Sequence, residues 1–451
     1  MVFKKTSIIN SCCESASERV AAYRLINNPR LVMDDMVCSL SSTCARGCEG
    51  LSHVLCLQDT TEIVFSHEGR LSLEDKDFGY GTSEKEKFCI FAHPGLVVDA
   101  ASCMPVGYGH IKIWSRDRSE ERRKKRRRGK VKLEEKESYR WVETAEKTVA
   151  SLPPGVRVTM VGDRENDVYS VMCKTLDCDC DFLVRSVHDR PVDCDVEGGG
   201  MGIREYMQGQ PVVLTYDLEL RGHKGRKART AKMLLRFARV TIRKSNCLDD
   251  VPESLTCYCV YAVEDASTVP GGEEPVEWRL LTSHVVDTVD EAVQCVEWYK
   301  CRWFIEETFR VCKSEGFRIE SVQLESGAAV KKLIVLTLWA ALRCVTLKRA
   351  YDEQDEAVPA RRMFDEGEEH LLDLEMERLH QKSPKALDGR NPFREHSLPW
   401  AAWIIARLGG WSGYLSAHGR PGYIAMKRGL DRFSQHLEII TFARARDVYK
   451  E

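Results

Sequence analysis

Through the first half of the chain the apolar residues come in short runs that end in turn residues, which is a strand pattern. His53 to Gln58 is such a run and ends at Asp59, and Phe88 to Ala101 and Pro105 to Trp114 are two more. Val156 to Val161 ends at Gly162 and Asp163, and Phe182 to Val187 follows after a helix. Helical stretches flank these strands. Residues 17 to 42 read as short helices broken by Asn27, Asn28 and Pro29, and Ser138 to Ser151 as a helix closed by Pro153, Pro154 and Gly155. Residues 190 to 285 read as all-β. From Val289 to Glu315 no Pro or Gly interrupts the chain, and Thr288 with Glu291 forms a capping box, so one continuous helix ending at Gly316 is expected. The longest apolar stretch, Leu333 to Leu342, covers about ten residues where a bilayer span needs ~20, and it reads as buried helix. The order of elements predicts an α/β fold with a helical N-terminal region.

The long helix carries the first candidate chemistry. Tyr299, Arg302, Glu306 and Lys313 fall within an arc of roughly 60° at about 100° per residue, so a hydroxyl, two cations and a carboxylate share one face. That face can hold a metal and a phosphodiester together; the plain alternative is a solvated helix laced with charge pairs. Glu306 would sit more than four turns into the helix, rigidly held. Asp59 and Asp163 each follow a strand, and if the two strands are neighbours both carboxylates leave the sheet at one edge, where open α/β sheets place their chemistry. Three carboxylates at one point repel unless a cation lies among them, and hard oxygen ligands favour Mg²⁺ or Mn²⁺. Alternatively, strand-end aspartates simply start turns.

Charge narrows the partner. The net charge is only −2, yet Arg221 to Lys244 holds ten Lys or Arg and no acid, and Arg122 to Arg128 is seven consecutive bases. Segregated basic surface fits DNA binding through counterion release despite a neutral total. Ala238, Val240 and Ile242 alternate with Arg239, Thr241 and Arg243, a strand with one basic face; the Arg122 run also reads as a solvated loop or localisation tag. Nineteen cysteines without paired C-x-x-C spacing read as reduced apolar residues rather than zinc ligands. The residues after Met1 lack a signal-peptide core, so no secretion is expected.

The segments LQDTTEIVF around Asp59, GDREND around Asp163 and YKCRWFIEETFRVCK around Glu306 resemble the three catalytic blocks of DDE transposases of the insertion-sequence IS-four family, in its Tn-five type. The likeness extends to FLVRS at Phe182–Ser186, PVEWRLLTS at Pro275–Ser283 and WIIARLGGW at Trp403–Trp411, nearly the whole chain. The resemblance implies a ribonuclease H-like catalytic core in two parts, residues 51–189 and 288–347. A β-rich insertion at 190–287 would divide them, with a helical N-terminal remnant of a DNA-binding region at 1–50 and a helical dimerisation region at 348–451. Asp59, Asp163 and Glu306 would be the catalytic triad holding two Mg²⁺ or Mn²⁺ ions. Tyr299, Arg302 and Lys313 would contact phosphates, Arg185 would stand near the active site, and Trp278 would stack on a base flipped out during hairpin formation.

The activity that the resemblance implies is cut-and-paste transposition: nicking, hairpin formation and opening, then strand transfer. The partners would be transposon-end and target DNA and a second copy of the chain in the synaptic complex, with no membrane. The place would be the bacterial cytoplasm with its nucleoid, or the nucleus of a eukaryotic host. The likeness starts near residues 16–30, so the chain is expected to lack the family's first end-recognition helices. The alternative is therefore a shortened, DNA- or partner-binding inhibitor of transposition that has lost end recognition. Gly409, Gly410 and Trp411 would permit close packing in the dimerisation region.

Overall fold

The computed structural model describes residues 9, 13 and 15–448 except 66–74, 76, 82–87, 117–130, 193–200, 221, 223–226, 245–248, 315 and 383–389. Two helices, α1 (Ala16–Ile26) and α2 (Met33–Gly47), lead into β1 (His53–Gln58), β2 (Thr61–Phe65), β3 (Gly79–Tyr80), β4 (Phe88–Asp99) and β5 (Pro105–Trp114). Helix α3 (Arg140–Ser151) precedes β6 (Arg157–Gly162), and α4 (Tyr169–Asp177) precedes β7 (Asp181–Arg185). Next come β8 (Pro191–Val192), β9 (Met201–Gly202), α5 (Ile203–Gln208), β10 (Leu214–Leu220), β11 (Arg229–Arg243), β12 (Ser254–Glu264) and β13 (Glu277–Thr282). The rest is helical: α6 (Val289–Cys301), α7 (Trp303–Lys313), α8 (Gly327–Glu353), α9 (Glu366–Lys382), α10 (Leu398–Leu408), α11 (Leu415–His418) and α12 (Tyr423–Val448).

The strands form one mixed sheet in the order β2-β4-β1-β6-β7-β13-β12-β11-β8-β9, with β3 and β5 also on β4 and β10 on β11. Among the described residues β6 runs parallel to both β1 and β7, and every other pairing is antiparallel. The fold is thus α/β, a large mixed sheet flanked by helices, consistent with a ribonuclease H-like core. Its centre follows from composition. In β1 Val54 to Gln58 are all buried, as a strand covered on both faces requires. Helix α8 is capped by Ser326 and buries Leu333, Ile334, Val335, Leu338 and Leu342, each worth about 2 kcal/mol when fully removed from water.

Two expectations change. The segment between β7 and α6 is not all-β, because Ile203 and Met207 pack α5 into the smaller core beside Val240 and Ile242. The helix expected to run unbroken from Val289 is two helices, α6 and α7, meeting at Arg302. The alternating basic strand does form: Val240 and Ile242 of β11 are buried, and Arg239 and Arg243 are exposed. Part of that basic charge is neutralised within the chain, since Arg229 pairs with Glu264 and, at 3.7 Å, with Glu273. The run Arg122 to Arg128 lies outside the described residues.

The described cysteines are free thiols and mostly buried. No helix among the described residues is long and apolar enough to cross a membrane. In the C-terminal helices the glycines act inside the chain. A Cβ on Gly409 would meet the Ala425 carbonyl oxygen at 1.9 Å, and one on Gly429 the Ile405 carbonyl oxygen at 1.8 Å. Helices α10 and α12 therefore cross backbone to backbone, and the close packing expected around Gly409 is intramolecular.

Candidate active site

Strands β1 and β6 pair in register up to Leu57 opposite Val161. Two residues further along each strand stand Asp59 and Asp163, so both carboxylates occur at the same carboxyl edge of the parallel pair. Each is held by the backbone just beyond it. Asp59 Oδ1 accepts from the Thr60 N–H at 2.7 Å, and Asp163 Oδ1 from the Glu165 N–H at 2.9 Å as N-cap of a short 3₁₀ turn. The last acid of the GDREND block, Asp167, is buried and accepts from Ser186 Oγ, the N–H groups of Val187 and His188, and Arg190, so it is committed to holding the loop after β7.

The third carboxylate comes from α7. Glu306 lies in the first turn of that helix instead of four turns into a longer one. At the break the Arg302 N–H bonds to the Tyr299 carbonyl at 3.1 Å, and the Ile305 N–H to the Arg302 carbonyl at 3.2 Å, a three-residue spacing that locally tightens the backbone. Nothing local marks this place. Arg302 itself is buried and reaches across to Asp59 Oδ2 at 3.3 Å while holding Glu306 Oε1 at 2.5 Å. One guanidinium thus ties the helix carboxylate to the strand carboxylate.

Around this bridge, Tyr299 is buried with its ring 6.0 Å from that of half-buried Trp278, edge to face, and 5.7 Å from the Arg302 guanidinium. Arg185 donates to the Glu277 carbonyl at 2.8 Å; burial holds its pKa below the usual guanidinium value, while the neighbouring Tyr299 opposes that shift. Lys313 is turned elsewhere, onto the Glu62 carbonyl at 2.6 Å with Glu320 at 3.6 Å. Trp303, which the sequence does not single out, is 56% exposed with the Arg302 guanidinium 5.8 Å from its ring. A signal for it exists: a large aromatic on the polar side of a helix, beside the arginine.

Burial, then the charge of Asp163, push the Asp59 carboxyl up to about 7; Glu306 adds to this, and Arg302 and the Thr60 N–H oppose it. The folded chain therefore binds the Asp59 proton more tightly than the unfolded chain, whose carboxyl titrates near about 4. Stability from the neutral form is complete below about pH 4 and is lost as pH rises through about 7. Asp59→Asn removes that cost. In chelator, the unfolding free energy of the variant should exceed that of the wild type by a margin growing from pH 4 to pH 8, to as much as about 4 kcal/mol. Urea melts at several pH values measure it, and a pH-independent difference would refute this origin of the shift. His53 and His284, pushed down to about 4 by burial at the opposite end of these strands, give the reverse pH trend but are common to both proteins and cancel.

Among the described residues no three acidic, histidine or cysteine side chains converge closely enough to hold a metal ion. The donor chemistry nevertheless fits a divalent cation. The oxygens are hard, the charge of Asp163 adds to burial in raising the Asp59 carboxyl, and Arg302 already supplies one positive charge between Asp59 and Glu306.

The family model of the transposase DDE domain matches residues 109–343, just over half of the chain. Asp163, Arg185, Trp278, Tyr299, Arg302, Glu306 and Lys313 lie within that span. Asp59 precedes it and is tied to the site by strand register and by Arg302.

Proposed function

The chain belongs to the DDE transposases, and on that premise we propose that Asp59, Asp163 and Glu306 are its catalytic carboxylates in cut-and-paste DNA transposition. The observation that carries this is the parallel register of β1 and β6 together with the Arg302 bridge from Asp59 to Glu306. Within the family, the blocks around the three carboxylates support the insertion-sequence IS-four group and its Tn-five type.

Members of this family use divalent metal ions. Held by Asp59, Asp163 and Glu306, Mg²⁺ or Mn²⁺ would supply activation of the attacking oxygen and stabilisation of the leaving oxygen at phosphorus. The chain's own residues would do the rest. Arg302 and Arg185 offer guanidinium groups at the site edge for phosphate oxygens, with Tyr299 between them and Lys313 at the far end of α7. Two indoles stand ready for a displaced base, Trp278 against Tyr299 and exposed Trp303, and stacking on either offsets the unstacking cost. The exposed arginines of β11 extend the basic surface away from the site. Exposed Leu415, Ile424 and Ile439 in the C-terminal helices, with Tyr414 just before α11, support a homodimer as the working form.

Incubating the purified protein with DNA carrying the ends of its own element tests this. Mg²⁺ should yield a nicked strand and then a hairpin-ended product, and removal of the metal with EDTA should stop both. Binding without cleavage in either Mg²⁺ or Mn²⁺ would overturn the reading.

A further inference from the structure

Behind the two strand-end aspartates lies a cation that the catalytic assignment leaves unused. Arg140, the first residue of α3, is 9% exposed. Its Nε donates to Thr60 Oγ1 at 2.8 Å, its Nη2 to Glu165 Oε2 at 2.8 Å and its Nη1 to the Glu137 carbonyl at 3.1 Å. Thr60 and Glu165 are the two residues whose backbone N–H groups hold Asp59 and Asp163. One side chain therefore grips, by parallel links, the residue that orients each aspartate. No sequence neighbour does this: Thr60 lies 80 residues before Arg140 and Glu165 lies 25 after it.

The Thr60 link is continued by a hydrogen-bond chain whose direction the Met160 sulfur sets. Thr60 Oγ1 lies 2.9 Å from His93 Nδ1, His93 Nε2 lies 3.0 Å from Gln58 Oε1, and Gln58 Nε2 donates to Met160 Sδ at 3.1 Å. The sulfur only accepts, so the Gln58 amide nitrogen faces it and the Gln58 oxygen faces His93. His93 is fully buried, and burial, with the Arg140 and Lys112 cations nearby, holds its pKa well below the usual imidazole value against the opposing pull of the Asp59 backbone carbonyl; this favours the neutral ring. Its single proton is then on Nε2, its Nδ1 accepts from the Thr60 hydroxyl, and the Thr60 oxygen is left to accept from Arg140, which can only donate. Every member is satisfied in this order, and such a chain holds its residues in one arrangement. Gln58 belongs to β1 and Met160 to β6, so the chain also closes back onto the strand pair that carries the aspartates.

We propose that Arg140 is a positioning residue for the metal-bearing site, setting the Asp59 and Asp163 carboxylates relative to each other through Thr60 and Glu165. This rests on reading those aspartates as metal ligands. Arg140 touches neither of them within hydrogen-bonding distance. Its two links are of different kinds: the Thr60 link is buried and part of the His93 chain, whereas Glu165 is 64% exposed and can be altered without touching the core.

Mn²⁺ alone is the probe, titrated into the full chain by calorimetry or by its electron-spin signal, with the thermal midpoint of each variant measured alongside. The wild type should bind Mn²⁺ and Asp59→Asn should not. Losing an outer partner of a metal ligand costs about 10–100-fold in affinity, so Arg140→Gln should weaken binding by at least about tenfold and Arg140→Lys, which keeps one link, by less. Glu165→Gln should weaken binding in the wild-type background and have no effect in the Arg140→Gln background, because its influence passes through Arg140. A simple electrostatic role for Glu165 would persist in both backgrounds and overturn the proposal, as would wild-type affinity in Arg140→Lys and Arg140→Gln. If Arg140→Gln is not recovered folded, Thr60→Val and Glu165→Gln decide. Acting through one shared residue, their combined effect should fall short of the sum, and additivity would overturn the proposal. Wild-type protein that binds no Mn²⁺, or binds it equally after Asp59→Asn, would remove the metal-site reading and this inference with it. Unaltered binding in the Arg140 and Glu165 variants alone would remove only the inference.

Discussion

Replacing Asp163 by asparagine is expected to abolish Mg²⁺-dependent nicking of element-end DNA, by about three orders of magnitude or more, while DNA binding and the thermal midpoint stay near wild type. The separation of effects follows from where Asp163 sits. Its structural task is to cap the 3₁₀ turn by accepting the Glu165 N–H, and asparagine caps as well as aspartate. What the substitution removes is the carboxylate at the strand edge that, after burial, contributes most to pushing the Asp59 carboxyl up to about 7. A nicking assay and a gel shift on the same DNA read both quantities. Unchanged cleavage would sink the assignment of Asp163, and lost binding with lost cleavage would mean that the residue serves the fold or the DNA contact instead.

The second large effect is on stability. Gly429→Ala would place a methyl carbon 1.8 Å from the Ile405 carbonyl oxygen, where the opposing atom is backbone and cannot rotate away. Helices α10 and α12 must separate, and with them the packing of Ile404, Ile405, Met426, Leu430 and Phe433. Overpacking of this kind costs about 1–3 kcal/mol and more where backbone must move, so a loss of about 3 kcal/mol or greater is expected. Gly271→Ala is the control, having open space where its Cβ would go and no left-handed backbone; it should stay within about 0.5 kcal/mol. Denaturant melts of the two variants measure the contrast, and equal midpoints would show that the helix crossing relaxes freely. Because this contact lies within one chain, Gly429→Ala tests the C-terminal helices of the monomer before any question of assembly.

Most single elements were legible along the chain. The strand ending at Asp59, the one ending at Asp163 and the capped start of α6 at Thr288 occur where the apolar runs and turn residues place them. The residue types that make a candidate site, carboxylates after strands and a Tyr, Arg, Glu and Lys series on a helix, were equally visible. The break at Arg302 was not, because no Pro or Gly marks it, and the contact made there is to Asp59, 243 residues away. Strand β2 is hidden too, although Thr61, Ile63 and Phe65 alternate inward, since it comes after Asp59 with a single residue between and reads as part of the turn.

By itself, then, the sequence determined most of the strands and helices and which of their ends carry charge, since these depend on backbone bonding and apolar periodicity over a few residues, but not β2, α5 or the break at Arg302. The tertiary structure alone decided the parallel register that sets Asp59 beside Asp163, the Arg302 bridge to Glu306, the Arg140 link behind both aspartates and the glycine crossing of α10 and α12. Each of these joins residues far apart in sequence, where the outcome depends on which buried charge finds a partner and which backbones can touch. No local pattern encodes that choice, because its free energy exists only once the distant segment has arrived.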